Sequence, residues 1–579
     1  MDTNNNKVPS ATGTRSDRWK KILKAVAFLL IFSLVFMKVQ DVVTPNRDLP
    51  SDRVRLQKSV GGLLREKKDT LDVLWVGSSH VHCGISPMEI YRESGIRSYL
   101  VHANAQRIPV AYYMVKEALK HQSPKYVVLD VGTLFLSERE NRDKNSWQES
   151  IDALPLTSMG GRIEMTRKLA ELNNDAFDDD YLFRSVFPLM QYHTNLQLKQ
   201  ADFFDLHLEQ QYHRKGFVAS VVVKAVKADT YDQIDRQLNP EGGIDPQSEL
   251  SQTLAEKIQV NIGYIRDLQQ LCREHGGELV FMKVPVHTLN GDYRGYWSRE
   301  KHEAVQKVAD ELQITFLDLN YEDIDIDWQT DTFDSGRHLN LAGATKLSRF
   351  LGHWLTDTCG MTADGDEALK ALWDKQLALY DWEMTDYRLR NIYDLKRFLE
   401  MAKSERYTVM SCVIGSVSDY WNDDLQAMFT ELTGCELDLR APENAAFAML
   451  SCNGEVIAVK SDDEKVDLTG SMPGGEIPFK IKSHPLSKAE LGRIRVSQSK
   501  VSSSMTGLQI VIFDNELQWV VDSICIAPGK AGDTDEVETI EESTEGSAAV
   551  PVALHRDKGF LNGFYRKMKD YIDKKMAAI

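Results

Sequence analysis

The chain has 579 residues, of which 42% are hydrophobic, and its formal net charge is −17 at pH 7. This length and composition can supply two or three domains with cores of their own. The acidic balance argues against a nucleic-acid partner, because phosphate binding requires a basic face. The seven cysteines form neither a CxxC pair nor a Cys/His pattern with metal-ligand spacing, so we expect no zinc site. A disulfide among Cys412, Cys435, Cys452 and Cys525 is left open by their spacing.

The first predicted element is an apolar segment near the N-terminus. A basic cluster precedes the uncharged run Ala25–Met37, which by itself is short enough for a signal peptide. No small-x-small cleavage site follows it, and Lys24 and Lys38 can snorkel to extend the usable span to about 20 residues. The basic cluster favours a cytoplasmic N-terminus. We therefore predict a cytoplasmic tail (1–21), a transmembrane signal anchor (22–43) and an extracytoplasmic remainder at the cell membrane, with a cleaved signal as the alternative.

The next segment, residues 71–87, is interpreted as a buried strand followed by a serine-rich turn. The strand residues Val73–Val76 stop at Gly77, and a helix begins at Pro87. This order places Ser79 at the carboxyl end of a parallel strand, where the ligand-binding sites of open α/β sheets lie. Backbone N–H groups at the following helix start can face an oxyanion.

Strands and helices alternate from there to residue 358. Further strands are predicted at 98–101, 126–131, 278–284 and 315–319, separated by helical segments. Such alternation indicates a parallel sheet with crossover helices. We therefore predict a doubly wound, flavodoxin-like, three-layer α/β domain over residues 50–358. The charged and aromatic stretch 137–250 interrupts the alternation and is interpreted as an insertion on the sheet that could cover the site.

The remainder of the chain changes character. Residues 363–404 have amphipathic helical spacing and are predicted to form a helical connector. Short alternating runs separated by Gly and Asn turns predict a mostly β module over 405–528. An acidic linker, 529–554, leads to a predicted basic amphipathic helix, 555–579. That helix could lie on an anionic membrane surface or dock on its own protein, and the sequence favours neither.

His338 is the best candidate for a base that would activate Ser79. A serine nucleophile needs a base within hydrogen-bond reach and a third group to orient that base. His338 follows the last predicted strand and lies four residues after Asp334. On one tight loop the carboxylate can hold the imidazole and leave its other nitrogen facing Ser79. The alternative is that His338 caps the following helix and Asp334 only makes a turn.

The pairing of these two segments resembles the SGNH (GDSL-type) hydrolase superfamily. The segment Gly77-Ser78-Ser79-His80 is similar to its Gly-Asp-Ser block, and Ser79 matches the nucleophile. Ser78 replaces the usual Asp, as in membrane-anchored relatives such as the D-alanyl transfer protein of teichoic acid synthesis. His338 matches the histidine of the last block, Asp-x-x-His. The resemblance implies serine chemistry that needs no metal and no cofactor.

The acid that would orient His338 departs from the family pattern. Ser335 stands where the family has its Asp, and Asp334 lies one residue earlier. We predict a triad of Ser79, His338 and Asp334, with Asp331 as the alternative acid.

The chain lacks part of the set of oxyanion donors that the resemblance implies. The family uses a Gly in its second block and an Asn in its third, but Leu134 stands at the Asn position here. Asn104 and Gln106 are nearby polar candidates, which could hold the oxyanion or cap the next helix. The backbone N–H of Ser79 is the donor expected in either case. In the insertion, His193 could line a sugar-binding groove, or it could be a structural histidine.

The β module resembles the interleukin-like EMT inducer domain. The resemblance is carried by the segments Gly507–Asn515 and Val520–Ser523, and Tyr407-Thr-Val fits the first strand. The association of that family with secreted proteins and carbohydrate-related enzymes implies glycan binding. A purely structural role for the module is the alternative.

Together these features predict a membrane-anchored, extracytoplasmic SGNH-type serine acyltransferase or esterase. Its substrate would be the O-acyl (acetyl) groups of a cell-surface or exported polysaccharide. The similarity to alginate and teichoic-acid modification proteins implies a membrane-bound O-acyltransferase partner. Transfer is favoured slightly over hydrolysis, although the same residues serve both. The competing interpretation is a catalytically inactive SGNH-like scaffold that binds glycan or assembles a polysaccharide machinery, because the third-block Asn is missing and the Asp is displaced.

Overall fold

The structure is a computed structural model, and it describes residues 15–43, 58–136, 144–172, 179–187, 189–190, 213–226, 249–287, 297, 299–363, 365–440, 445–474, 477–496, 499–529 and 552–556. The helices are α1 (Arg15–Val43), α2 (Lys58–Leu63), α3 (Ser79–Gly84), α4 (Pro87–Ser94), α5 (Ile108–Ala118), α6 (Lys144–Asp152), α7 (Met159–Leu172), α8 (Asp179–Val186), α9 (Glu249–Glu274), α10 (Arg299–Leu312), α11 (Leu341–His353), α12 (Glu367–Leu389), α13 (Leu395–Ala402) and α14 (Asp423–Thr433). The strands are β1 (Val73–Gly77), β2 (Ser98–His102), β3 (Tyr126–Asp130), β4 (Glu278–Lys283), β5 (Thr315–Asp318), β6 (Tyr407–Ile414), β7 (Ala446–Cys452), β8 (Glu455–Ser461), β9 (Val466–Ser471), β10 (Pro478–Ser483), β11 (Arg493–Val496), β12 (Ser499–Lys500), β13 (Gly507–Asp514), β14 (Trp519–Pro528) and β15 (Val552–Arg556).

The first five strands form one parallel sheet in the order β2-β1-β3-β4-β5. This is one of the two common orders of doubly wound α/β sheets. Strand β1 lies between the edge strand β2 and the central strand β3 and is buried along its whole length. A parallel strand covered on both faces is expected to be continuously apolar, as Val73–Val76 is. The predicted parallel α/β sheet is therefore confirmed.

The crossover helices form two packed groups. Right-handed connections in this strand order place the β1–β2 helices on one face and the helices after β2, β3 and β4 on the other. The contacts agree, because α11 packs on α3 and α4, whereas α9 packs on α5 and α10. Helix α11, which follows the last strand, thus returns the chain to the helices that directly follow β1.

Helix α1 covers the segment for which we predict a signal anchor. Among the residues that the structure describes, no helix has both the length and the apolar character needed to cross a membrane. The anchor stays a prediction from the sequence.

The described part of the predicted insertion includes a segment, residues 213–226, that lies against the parallel sheet domain. The backbone N–H of Leu100 donates to the carbonyl of Lys215 at 3.0 Å, and that of Val218 donates to the carbonyl of His82 at 2.7 Å. Further along, the N–H of Leu341 donates to the carbonyl of Ser220 at 2.6 Å. The segment therefore runs from the middle of β2, past α3, to the start of α11.

The second unit is a mostly β module, as predicted. A six-stranded antiparallel sheet (β15-β14-β13-β6-β7-β8) and a four-stranded one (β12-β11-β10-β9) share a core that includes Met410, Ile481 and Ile494. Successive strand residues point to opposite faces, so Val409 lies in a different core, together with Phe398 of α13 and other apolar residues. The larger sheet is thus covered on both faces.

One expectation about this module needs correction, and one question that the sequence left open is answered. Strand β15 (Val552–Arg556) pairs antiparallel with β14, so the predicted linker (529–554) and helix (555–579) are misplaced at their common boundary. Ladder hydrogen bonds with β14 hold these five residues in the sheet, and residues 557–579 lie outside the described ranges. All seven cysteines are free thiols, so the disulfide that the spacing left open is not formed.

Helix α12 meets the β module at a buried charge cluster. Asp386 accepts hydrogen bonds from the Tyr407 hydroxyl and the Trp519 indole N–H, each at 2.7 Å. Arg406 donates to Asp386 at 2.6 Å and also to Asp514, which is fully buried. Burial and the neighbouring Asp514 raise the pKa of Asp386 to about 8, although Arg406 acts in the opposite direction.

This cluster predicts a pH-dependent stability. A carboxyl whose pKa is higher in the folded than in the unfolded protein binds its proton more tightly when folded, so its contribution to stability falls as pH rises from about 4 to about 8. We expect the melting temperature of the wild type to fall relative to that of Asp386→Asn across this range. Asp381→Asn, on the exposed side of the same helix, is the matched control and should follow the wild type. Parallel melting curves for wild type and Asp386→Asn would contradict the prediction.

Candidate active site

Ser79 lies at the carboxyl end of β1, at the first residue of helix α3. The strand ends at Gly77, where a Cβ atom would overlap the side chain of Val81 and lie 2.9 Å from Cβ of Asp130, so the approach requires glycine. The turn predicted after this glycine is in fact the short helix α3, because residues 79–84 close helical hydrogen bonds. Ser79 itself is half-buried and stays accessible at the sheet edge.

The structure brings the three predicted triad residues together. Nε2 of His338 lies 2.7 Å from Oγ of Ser79, and Nδ1 lies 2.5 Å from Oδ2 of Asp334. The other carboxylate oxygen of Asp334 accepts the backbone N–H of His338 at 2.7 Å. With Nδ1–H donated to the carboxylate, Nε2 is the acceptor for the serine hydroxyl. This arrangement can remove a proton from Ser79 as the hydroxyl attacks an electrophile.

The shifted position of the acid is accommodated by the shape of the loop. Ser335 and Gly336 both have left-handed backbone conformations, with φ of 64° and 94°. The Thr332 hydroxyl closes the loop, because it accepts the N–H of Gly336 and donates to the carbonyl of His338, each at 2.8 Å. Two consecutive left-handed residues take up the additional residue between acid and histidine, so Asp334 still reaches the imidazole.

The alternative roles considered for this loop are filled by other residues. Asp331 forms a 2.8 Å ion pair with Lys346 and accepts the N–H of Asp327 at 2.8 Å, so it is bound away from His338. Asn340 is the N-cap of α11, where its side chain accepts the N–H of Ala342 at 3.0 Å. Asp331 is therefore not the orienting acid in this structure, and His338 does not cap the helix.

The electrostatics of the loop favour an ionised acid. Burial alone would raise the pKa of Asp334, but the charge of His338 and two hydrogen bonds from it outweigh that effect and lower the pKa. The carboxylate is thus charged at neutral pH, as required to hold the imidazole in one tautomer and to stabilise its protonated form.

The predicted oxyanion candidates are less well supported by their positions. Leu134 is fully buried in the core, and its aliphatic side chain supplies no hydrogen-bond donor. Its carbonyl accepts a hydrogen bond from Asn261. The side-chain NH2 of Gln106 donates to the carbonyl of Val101 at 3.4 Å and to Sδ of Met114 at 3.2 Å. These contacts occupy the NH2 group inside the domain. Asn104 is solvent-exposed in the same turn and stays a candidate. His193 lies outside the described residues.

Sequence reasoning missed a backbone brace on the loop that carries Asp334 and His338. Lys224 lies in the segment 213–226, and its backbone N–H donates to the carbonyl of Thr332 at 2.9 Å. The carbonyl of Lys224 accepts the N–H of Ser335 at 3.2 Å. Backbone pairing of this kind leaves no side-chain signature, so the sequence offered no signal for it. The insertion thus holds the loop that presents Asp334 and His338.

Sequence reasoning also missed two aromatic neighbours of the predicted base. The rings of His80 and Phe333 both stack on the imidazole of His338. Their adjacency in sequence to Ser79 and Asp334 was the available signal. By contrast, Cys83 behaves as expected of a packing residue, because it is buried and burial raises the pKa of its thiol.

A scan of the chain against models of protein families found no match, and a search of curated proteins found none. The SGNH resemblance therefore rests on the residues named above.

The geometry predicts different effects for the two loop carboxylates. Asp334→Asn should slow the reaction of Ser79 with a fluorophosphonate probe by about two orders of magnitude or more, because the imidazole loses its charged partner and its tautomer. Asp331→Asn should react within about twofold of the wild type and should lower the melting temperature instead. Intact-mass measurement of labelling over time at pH 7 makes the comparison. An equal loss of labelling in Asp331→Asn would contradict the assignment of Asp334.

Proposed function

We propose that the protein is an SGNH-type serine acyltransferase or esterase that acts on O-acyl groups of a polysaccharide. The observation that carries this proposal is the hydrogen-bonded chain from Ser79 through His338 to Asp334. A nucleophile, a base and an orienting acid in one line are the parts that acyl transfer requires. The parallel sheet with the serine at the end of β1 agrees with the resemblance, although a fold does not fix a function.

In the first half-reaction, Oγ of Ser79 attacks the carbonyl carbon of an acyl donor. Its proton passes to Nε2 of His338, which lies 2.7 Å away, and the imidazolium is stabilised by Asp334. The tetrahedral intermediate then expels the donor alcohol, which takes the proton from His338. The products of this half-reaction are the free alcohol and an acyl ester on Ser79.

In the second half-reaction, His338 accepts a proton from a sugar hydroxyl or from water. The deprotonated oxygen attacks the acyl ester, and Ser79 leaves with the proton that His338 returns. A sugar acceptor gives an O-acylated glycan, and water gives the free acid. The acceptor therefore decides between transferase and esterase activity. We favour transfer of the acyl group to a hydroxyl of the polysaccharide.

Oxyanion stabilisation rests on few groups in this proposal. The backbone N–H of Ser79, at the first position of α3, is the proposed donor, and Asn104 is the proposed second donor. Removing one such donor from a complete site costs about 2.7–4 kcal/mol of transition-state stabilisation in other enzymes. A site without the third-block Asn is accordingly expected to turn over slowly.

The remaining parts of the proposal concern location and partners. We propose that the N-terminal segment anchors the protein at the cell membrane with the site outside, next to a membrane-bound O-acyltransferase that supplies the acyl group. We also propose that the β module, similar in sequence to the interleukin-like EMT inducer domain, binds the glycan. Its two-sheet architecture is compatible with that family.

A second candidate function is an inactive SGNH-like scaffold that binds glycan or assembles a polysaccharide machinery. The specific observation in its favour is Leu134, which is buried where the family places an oxyanion donor. The intact triad argues against it, because an abandoned site is under no constraint to keep three residues in hydrogen-bonded order.

Activity measurements on the full-length protein test the proposal. We expect it to hydrolyse an activated acetyl ester, and we expect Ser79→Ala and His338→Ala each to lower kcat/KM by about three orders of magnitude or more. In the presence of a polysaccharide acceptor, acetyl groups should appear on the glycan, as measured by mass spectrometry of its fragments.

The controls separate the alternatives. Cys83→Ala, a buried residue near the serine, should retain turnover and exclude a thiol nucleophile. Turnover that survives Ser79→Ala would refute the triad. A stable, folded protein without any turnover or probe labelling would favour the scaffold.

A further inference from the structure

The imidazole of His338 is stacked against two aromatic rings. The His80 ring lies with its centroid 4.7 Å away and its plane inclined by 22°, and the Phe333 ring lies 5.5 Å away at 11°. His80 directly follows the nucleophile, and Phe333 directly precedes the orienting acid. Both rings are therefore fixed by the same two segments that form the triad.

The surroundings of His80 keep that ring uncharged. Burial has the largest effect and lowers the pKa of His80 well below its ordinary value, and the positive charge of Lys283 at the end of β4 acts in the same direction. His338 and Arg337 of the catalytic loop and His82 of α3 contribute similarly. Lys283 is itself almost fully buried, with its Nζ 4.0 Å from the Asp130 carboxylate; burial lowers the pKa of Lys283, whereas Asp130 and Asp318 act in the opposite direction.

A neutral aromatic ring attracts a cation that lies over its face. The electron-rich face of a ring stabilises a positive charge within about 6 Å of the centroid, and both rings meet this limit. His338 becomes positively charged only after it has taken a proton. The stacked rings therefore favour the protonated imidazole over the neutral one, in addition to the negative charge of Asp334.

We propose that His80 and Phe333 are positioning residues for the general base, and that their ring faces stabilise the protonated form of His338 at each proton transfer. This inference rests on the proposed acyl-transfer function for its catalytic meaning, but the effect on His338 is a property of the folded protein. A role in packing alone would require the volume of the two side chains and not their aromatic character.

The titration of His338 tests the proposal directly. In full-length protein with 13C-labelled histidine, the His338 signal is identified by its loss in His338→Gln and followed from pH 4.5 to 9. We expect the midpoint to move to lower pH by about half a unit or more in His80→Leu and in Phe333→Leu, because the protonated form loses a ring face. His80→Phe, which keeps the ring face, should titrate close to the wild type.

A matched control comes from a second histidine with similar surroundings. Nδ1 of His302 lies 2.8 Å from Oδ2 of Asp318, and the centroid of its ring lies 4.5 Å from that of Tyr321, with the two planes inclined by 57°. Tyr321→Leu should leave the titration of His338 unchanged. It reports any general effect of removing an aromatic side chain from this domain.

The kinetic readout separates this proposal from the proposed function. If ester turnover depends on Ser79, the acid limb of kcat/KM should move to lower pH in His80→Leu and Phe333→Leu by the same amount as the titration. Unchanged titration in both folded leucine variants, or a shift in His80→Phe as large as in His80→Leu, would refute the ring effect while leaving the triad in place. Absent turnover with shifted titrations would refute the function and leave the ring effect standing.

Discussion

The hydrogen-bonded chain from Asp334 through His338 to Ser79 is the interaction on which the proposed site depends. Ser79 and His338 lie 259 positions apart in sequence, so only the tertiary fold can bring them into contact. It does so because α11, which follows the histidine loop, packs on α3, which begins with the serine. Any displacement of α11 along α3 would separate the base from the nucleophile.

The loop that carries Asp334 and His338 also belongs to a larger network of hydrogen bonds. The inserted segment pairs with it through the backbone of Lys224, and Asn391, just after α12, donates to the carbonyl of Val221 in the same segment. Within α12, Tyr380 accepts a hydrogen bond from the Ser86 hydroxyl at 3.0 Å, which ties the helix to the α/β domain, and Asp386 meets the β module. The α/β domain, the β module, the segment 213–226 and the loop are therefore joined by a continuous series of hydrogen bonds.

Much of the fold could be predicted because its signals are local. A short, largely apolar run indicates a buried parallel strand, and the five predicted runs of the α/β domain are its five strands, of which only β1 ends at a glycine. The errors arose where pairing overrode local character. The segment after Gly77 contains Ser and Gly but closes as helix α3, and residues 552–556 resemble the end of a linker but are held as an edge strand by β14.

The sequence by itself determined the proposed nucleophile and base and limited the proposed acid to Asp334 or Asp331, because the ends of strands and the residue types that follow them can be recognised locally. Only the tertiary structure decided that Asp334 and not Asp331 orients His338, since that choice depends on left-handed turns at Ser335 and Gly336. It also decided that His80 and Phe333 stack on the base and that the insertion braces the loop. Ring stacking and backbone pairing join segments distant in sequence, and neither requires a particular spacing along the chain.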